Sequence, residues 1–251
     1  EWDMQRAFRE AGARTRLVIF RNRNAGDIAE SIKELAAAIR EAQILALPGG
    51  FSAGDEPDGS GKFIANAFRS PLIADAVQDL FDTRDGLALG ICNGFQALIK
   101  LGLVPYGRYT EASASSPTLT FNRIGRHVSR MVRTRVMSVS SPWLALEEPG
   151  AIHVLPVSHG EGRLVIGKDE ATALFAAGQA PFCYADADGQ PALSEPDNPN
   201  GSDYAIEALT SPDGRILGKM GHSERRGPFV HINIPGNKTQ RIFEAGVQYF
   251  R

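Results

Sequence analysis

The strongest constraint on this chain is a repeated change of period in its first hundred residues, where short apolar runs alternate with helical patterns. RLVIF, residues 16–20, precedes DIAESIKELAAAIREA, whose Ile28, Ile32, Leu35 and Ile39 share one helical face. ILALPGG, ending at Gly49 and Gly50, leads through an acidic Gly-rich loop to KFIANAF, and GLALGI feeds NGFQALIKLG. Continuous apolar runs separated by helices are what strands buried on both faces of a parallel sheet look like. The expectation is an α/β fold with a mostly parallel central sheet and helices on both faces. MQRAFREAG, closed by Gly12, adds an amphipathic helix ahead of the first run. From Pro117 the texture changes. TLTFN, HVSRMVRTRVMSV, AIHVLPVSHGEGRLVI and PFCYAD are strand-like with few helical periods between them, which predicts an antiparallel, strand-rich insertion in the second half. YAIEALTSPDGRILGKMGH reads as a hairpin because Pro212, Asp213 and Gly214 supply turn chemistry, and TQRIFEAGVQYFR is helical again. Asp186–Ser202 is the linker candidate, with four prolines or glycines before Gly201. The whole chain, 1–251, reads as a single domain.

Composition narrows the partners. The 251 residues are 43% apolar, enough for a sizeable core. A formal charge of -2, from 27 basic and 29 acidic residues interspersed along the chain, gives no footprint for nucleic acid or for an anionic membrane. No apolar run approaches the ~20 residues that span a bilayer, and the polar N-terminus carries no signal pattern, so the expected compartment is the cytosol. Cys92 and Cys183 make no disulfide framework, and no Cys and His cluster has zinc spacing. Cysteine chemistry, if present, is catalytic, and no metal site is expected.

Cys92 falls where a strand passes into a helix, the place where open α/β sheets build their sites. Gly90-Ile-Cys-Asn-Gly94 has the form of a nucleophile elbow, in which flanking glycines permit a sharp turn that exposes the nucleophile. The start of the following helix favours a thiolate, and its amides can hold an oxyanion. The N–H of Asn93 is one such donor, and the Gly49-Gly50 turn offers a second. A lone cysteine is more often a small buried residue. Glycines at both flanking positions reverse that preference, although an elbow by itself specifies only nucleophilic catalysis.

A thiolate nucleophile needs a histidine. Of the five, His159-Gly-Glu161 and His222-Ser-Glu224 place a carboxylate two residues after the imidazole, a spacing that puts both side chains on one side of an extended segment. Such a carboxylate orients the ring and stabilises its protonated form. Spacing does not choose between the two. His127, His153 and His231 lack this partner and read as structural. The loop GDEPDGSGK, residues 54–62, fails as a phosphate loop, having Glu56 where glycine is required and Phe63 after the lysine. It reads as a solvated acidic turn.

Taken together, LPGGFSAGDEPDGSGKFIANAFR, LGICNGFQALIKLGLVPYG, LPVSHGEGR, NPNGSDYAIEALTSPDGR and MGHSER resemble the glutaminase domain of phosphoribosylformylglycinamidine synthase, a class I (triad) glutamine amidotransferase with a flavodoxin-like fold. The likeness covers nearly the whole chain. It implies hydrolysis of glutamine through a cysteinyl thioester, the ammonia being used with ATP to turn a phosphoribosyl formamide into its amidine in purine synthesis. It further implies Cys92 as nucleophile, His222 as general base and acid, and Glu224 as its orienting carboxylate. Gly50 and Asn93 would form the oxyanion hole, Gln96 and Phe51 would meet the glutamine, and Asn122 with Ser158–Arg163, including His159, would wall that pocket or face the synthetase portion. The expected partners are glutamine and a synthetase domain of the same polypeptide or complex. ATP and Mg²⁺ are expected there and no cofactor in this chain.

Two departures accompany the likeness. Ser223 stands where many relatives have proline between the triad histidine and glutamate. The relatives also begin with a strand that precedes the helix starting near Trp2, so this chain is expected to be the C-terminal piece of a longer synthetase, with an open slot in its sheet and a tendency to self-associate. The rivals to this assignment are a cysteine hydrolase acting on other amides, against which Gln96 and the Gly49-Gly50 turn weigh, and a docking module that has lost activity, against which the complete Cys92, His222 and Glu224 set weighs.

Overall fold

The computed structural model describes residues 1–50 and 61–251; Phe51 and most of the acidic loop lie outside them. In chain order the elements are α1 (Trp2–Glu10), α2 (Ala25–Glu41), β1 (Ile44–Leu47), α3 (Lys62–Phe68), α4 (Pro71–Asp82), β2 (Leu87–Ile91), α5 (Asn93–Leu101) and a short α6 (Leu103–Tyr106). There follow β3 (Thr118–Phe121), β4 (Val128–Val136), β5 (Ile152–His159), β6 (Glu161–Val165), α7 (Lys168–Ala176), β7 (Phe182–Ala185), β8 (Ile206–Thr210), β9 (Ile216–Lys219) and α8 (Ile242–Gln248). One seven-stranded sheet, in the order β1-β2-β9-β8-β7-β4-β5, runs through the molecule, and β3 with β6 forms a separate two-stranded ladder. β1, β2 and β9 are parallel. β8, β7, β4 and β5 extend the same sheet with antiparallel pairings, so the strands of the second half continue the first half's sheet.

β2 is buried at all five positions, as a strand covered on both faces must be. On one face lies α5, at unusually close range. A Cβ on Gly94 would stand 2.1 Å from the Leu47 carbonyl oxygen, and one on Gly218 would stand 2.1 Å from the Phe95 ring. Near the C-terminus, α8 and α1 meet through Phe8 and Phe243, whose rings cross edge to face with centroids 5.0 Å apart. The hairpin β8–β9 turns at Ser211–Arg215 with Gly214 at φ +73, as its turn residues require.

Two expectations are corrected. Arg16–Phe20 forms no strand; Ile19 is 67% exposed and Leu17 44%. β-branched composition suits a pleated ladder, but a strand exists only through a partner. β1 is the edge of the sheet, and a groove of about 1030 Å³ separates it from this segment, lined by Phe8, Val18, Phe20, Leu45, Leu47 and Phe63 among others. The second correction is Asp186–Ser202, which is no linker. Asn198 and Asn200 are fully buried, Asn200 Nδ2 donates to the Gly162 carbonyl at 2.7 Å, and Ser202 Oγ accepts the Leu164 amide at 3.0 Å. Proline and glycine there shape a loop whose Asn and Ser side chains fasten β6 from behind.

Gly94→Ala should overpack the α5–β1 contact and lower stability by about 1–3 kcal/mol. A chemical denaturation midpoint unchanged from the parent chain would count against close backbone approach as the reason for this glycine.

Candidate active site

The site forms where the parallel strands end. Cys92 follows β2 directly and precedes α5, with backbone angles φ 53 and ψ -105. A non-glycine residue held there costs roughly 1–3 kcal/mol, and the surrounding structure must enforce it. The strain therefore sits on Cys92 itself. Its flanking glycines serve a different need from the one the motif suggests: neither has a positive φ, but a Cβ on Gly90 would lie 2.8 Å from the backbone of Gly94. Gly90 must lack a side chain for the elbow to close, and Gly94 for α5 to seat against Leu47. Cys92 is 6% exposed, its N–H donates to the Lys219 carbonyl at 2.8 Å, and its Sγ lies 3.7 Å from the Ser158 carbonyl.

His222 arrives on the segment after β9, its backbone N–H held by the Pro156 carbonyl of β5 at 2.9 Å. Nδ1 meets Glu224 Oε1 at 2.6 Å, with both side chains buried. The i, i+2 spacing thus brings the pair together. Burial alone would push the His222 imidazole down. Interactions with the Cys92 and Glu224 side chains, through hydrogen bonding and negative charge, outweigh burial and raise it to about 9. Glu224 is correspondingly held low: burial opposes ionisation, but the hydrogen bond and charge of His222, its own backbone amide and Arg225 prevail.

The other candidate pair is not realised as spacing suggests. His159 Nδ1 faces Asn122 Oδ1 at 3.1 Å, while Asn122 Nδ2 donates to the His159 carbonyl at 2.8 Å. Complete burial and the neighbouring His222 and His127 push His159 down to about 3, so it remains neutral. Two histidines thus stand in one buried site with their protonation driven apart. His153, read as partnerless, in fact pairs with Glu147 at 3.2 Å in the interior, a contact made by tertiary folding. Cys183 is buried beside Glu207, and burial first, then that charge, pushes its thiol up to about 12, leaving it inert.

Gln96 lies one turn along α5 and is 1% exposed; its Nε2 donates to the Glu161 carbonyl and its Oε1 has no partner among the described residues. The Asn93 side chain accepts the Gly61 N–H at 2.6 Å, tying the end of the acidic loop to the elbow. Gly50 has φ +116, a conformation reserved for glycine, and its open face would accept a Cβ without contact. Gly49 carries a constraint that the sequence did not reveal. A Cβ there would lie 2.8 Å from His222 Cε1 and 3.2 Å from Cys92 Cβ, so this glycine lets the two side chains approach. Ser223 also has a visible use: its hydroxyl donates to Gln240 Oε1 at 2.6 Å, and Gln240 Nε2 reaches Thr134 on β4. A proline could not donate there. Among the described residues no group of three or more His, Cys, Asp or Glu side chains is arranged to hold a metal ion.

A strained cysteine, an imidazole raised by it and by Glu224, and that carboxylate behind the ring stand together in one buried cluster, the arrangement that cysteine–histidine–carboxylate chemistry requires. The chain belongs to the CobB/CobQ-like glutamine amidotransferase domain family, whose model matches residues 1–250. It is 34% identical over 228 residues to phosphoribosylformylglycinamidine synthase subunit PurQ of Methanococcus maripaludis strain C7, covering 90% of this chain and 77% of that one. To the same subunit of Salinibacter ruber it is 34% identical over 209 residues, covering 83% and 80%. Among solved structures, PurLQS from Thermotoga maritima superposes with a TM-score of 0.68 at 24% identity, over 100% of this chain and 92% of that one. The glutaminase domain of Trypanosoma brucei CTPS with bound acivicin gives 0.55 at 15% identity, over 98% and 88%. These two likenesses establish the shared α/β fold.

Gly49→Ala should part Cys92 from His222 and slow alkylation of Cys92 by iodoacetamide roughly tenfold or more without unfolding the chain, a misplacement effect of the expected size. An unchanged alkylation rate would show that Gly49 is not needed to bring the two together.

Proposed function

We propose that Cys92, His222 and Glu224 carry the glutaminase reaction of phosphoribosylformylglycinamidine synthase, the glutamine-dependent carbon–nitrogen ligase of purine biosynthesis. The observation that carries this assignment is the buried His222 ring, bonded to Glu224 through Nδ1 at 2.6 Å and brought up to the elbow cysteine where Gly49 leaves room for both. The Cys92 thiolate attacks the side-chain amide carbon of glutamine, forming the C–S bond and placing negative charge on the carbonyl oxygen. Backbone N–H groups of Gly50 and Asn93 receive that charge. His222, protonated, gives its Nε2 proton to the departing nitrogen, so the C–N bond breaks and ammonia leaves. Neutral His222 then takes a proton from water as it attacks the thioester, and the C–S bond breaks to release glutamate. Every role is filled by a protein group. ATP and Mg²⁺ are assigned to the synthetase portion, which consumes the ammonia.

The orphaned Gln96 Oε1 supports its role as a substrate contact, since a buried acceptor without a partner is costly unless a ligand supplies the donor. Asn122 and His159 form the adjoining wall, with Phe51, outside the described residues, completing the pocket. The relatives named as a synthase subunit support a synthetase partner, in the same polypeptide or in a complex. No described helix is long and apolar enough to cross a membrane, and the assignment is to the cytosol.

A glutamine-mimicking affinity label should modify Cys92 and not Cys183. Failure to modify Cys92 even with the synthetase partner present would sink the assignment. His222→Ala should abolish glutamine hydrolysis, whereas His159→Ala should retain turnover; loss of turnover from the His159 change alone would overturn the triad. Because His222 must be protonated to expel ammonia, kcat/KM for glutamine should be full below and fall as pH rises through about 9. In Glu224→Gln that descending limb should move to lower pH, because the ring loses its anionic partner. A limb that stays in place would separate it from the His222 proton.

A further inference from the structure

Beneath the triad lies a buried ion pair that none of the steps above uses. Lys219, the last residue of β9, and Glu207 on β8 are both fully buried, with Lys219 Nζ 3.0 Å from Glu207 Oε1. The same two atoms hold both polar groups of Gly221. Its N–H donates to Glu207 Oε1 at 2.5 Å, and its carbonyl accepts from Lys219 Nζ at 2.7 Å. Gly221 is the residue immediately before His222. A Cβ on it would lie 2.7 Å from Glu207 Oε1 and 3.0 Å from Lys219 Nζ, so the fit requires glycine. Lys219 also reaches the nucleophile, for its own carbonyl accepts the Cys92 N–H. One residue at the end of one strand therefore holds the cysteine through its backbone and the approach to the histidine through its side chain.

A buried ion pair is weak evidence for stability, because well-packed apolar residues of similar volume often serve as well. An apolar pair here would, however, strip Gly221 of both its hydrogen bonds. Neither charge is among the groups that shift His222, which are Cys92 and Glu224. The titratable groups that face the pair across the neighbouring strand are Cys183 and Tyr184 on β7, both raised by burial first and then by the Glu207 charge, and the Phe182 ring lies 5.6 Å from Lys219 Nζ. The pair thus acts through placement.

We infer that Lys219 and Glu207 are positioning residues for glutamine hydrolysis, a buried clamp on Gly221 that sets His222 at reacting distance from Cys92. The inference rests on the glutaminase assignment above. Its test uses the double variant Glu207→Leu with Lys219→Met, which leaves no buried charge unpaired, beside Glu207→Gln, which retains an oxygen for the Gly221 amide. In the folded double variant kcat for glutamine should fall about 10²-fold with KM changed far less, and the alkaline limb near 9 should move down as His222 loses its place. Glu207→Gln should recover most of that loss. Gly221→Ala, which wedges the clamp open with both charges present, should reproduce the defect if the double variant does not fold. The rate of Cys92 alkylation against pH is measured in every variant, needs no glutamine, and separates failure of the clamp from failure of the glutaminase assignment. A folded double variant, or a folded Gly221→Ala, with the parent's kcat and alkylation profile would overturn the inference.

Discussion

The active site depends on one register. β2 and β9 run parallel with Ile91 opposite Lys219, so the residue after each strand, or just beyond it, emerges at the same end of the sheet. The Cys92 amide closes this ladder on the Lys219 carbonyl. A shift of one residue would reverse the facing of every side chain on β9, carrying Gly218 out from under Phe95 and His222 away from the thiol. The close seat of α5 over Gly218 and of Gly94 over Leu47 locks that register. Packing that looks like ordinary core therefore decides where chemistry is available.

The electrostatics follow from burial. In water a histidine beside a thiol and a carboxylate would gain little from either, because solvent screens both. Within the protein the three groups see one another at close range, and the imidazolium is held although burial opposes it. The same burial, without an anionic partner, leaves His159 neutral a short distance away. Similar side chains thus perform unlike tasks according to what faces their ring nitrogens.

Much of this was legible in the sequence because it was local. G-x-C-x-G and His-x-Glu are short patterns, and the residues they join touch in the folded chain: Gly90 against Gly94, His222 against Glu224. Each helix read in the first hundred residues forms, and Pro71–Asp82 adds one that the reading did not name. What stayed hidden was relational. Arg16–Phe20 has a strand's composition but no ladder, since propensity does not report a partner. Asp186–Ser202 looked like a linker because its prolines and glycines masked Asn and Ser groups that bond to β6. His153 found Glu147, and Lys219 found Glu207, through pairings that no spacing rule announces. Gly49 was visible as a turn, but its closeness to both catalytic side chains is a property of three separate segments.

Those segments are far apart along the chain. Gly49 follows the first strand of the sheet, Cys92 the second, Pro156 and Ser158 lie on β5, and His222 follows the last. Contacts of such long sequence separation are slow to form, since loop closure must precede the interactions that reward it. During synthesis the cysteine is translated well before the histidine that faces it, and its strained backbone gains enforcement only when β9 docks beside β2. Cys92 and His222 consequently meet only when the sheet closes. The pair and the pocket around it are therefore products of the same final step of assembly.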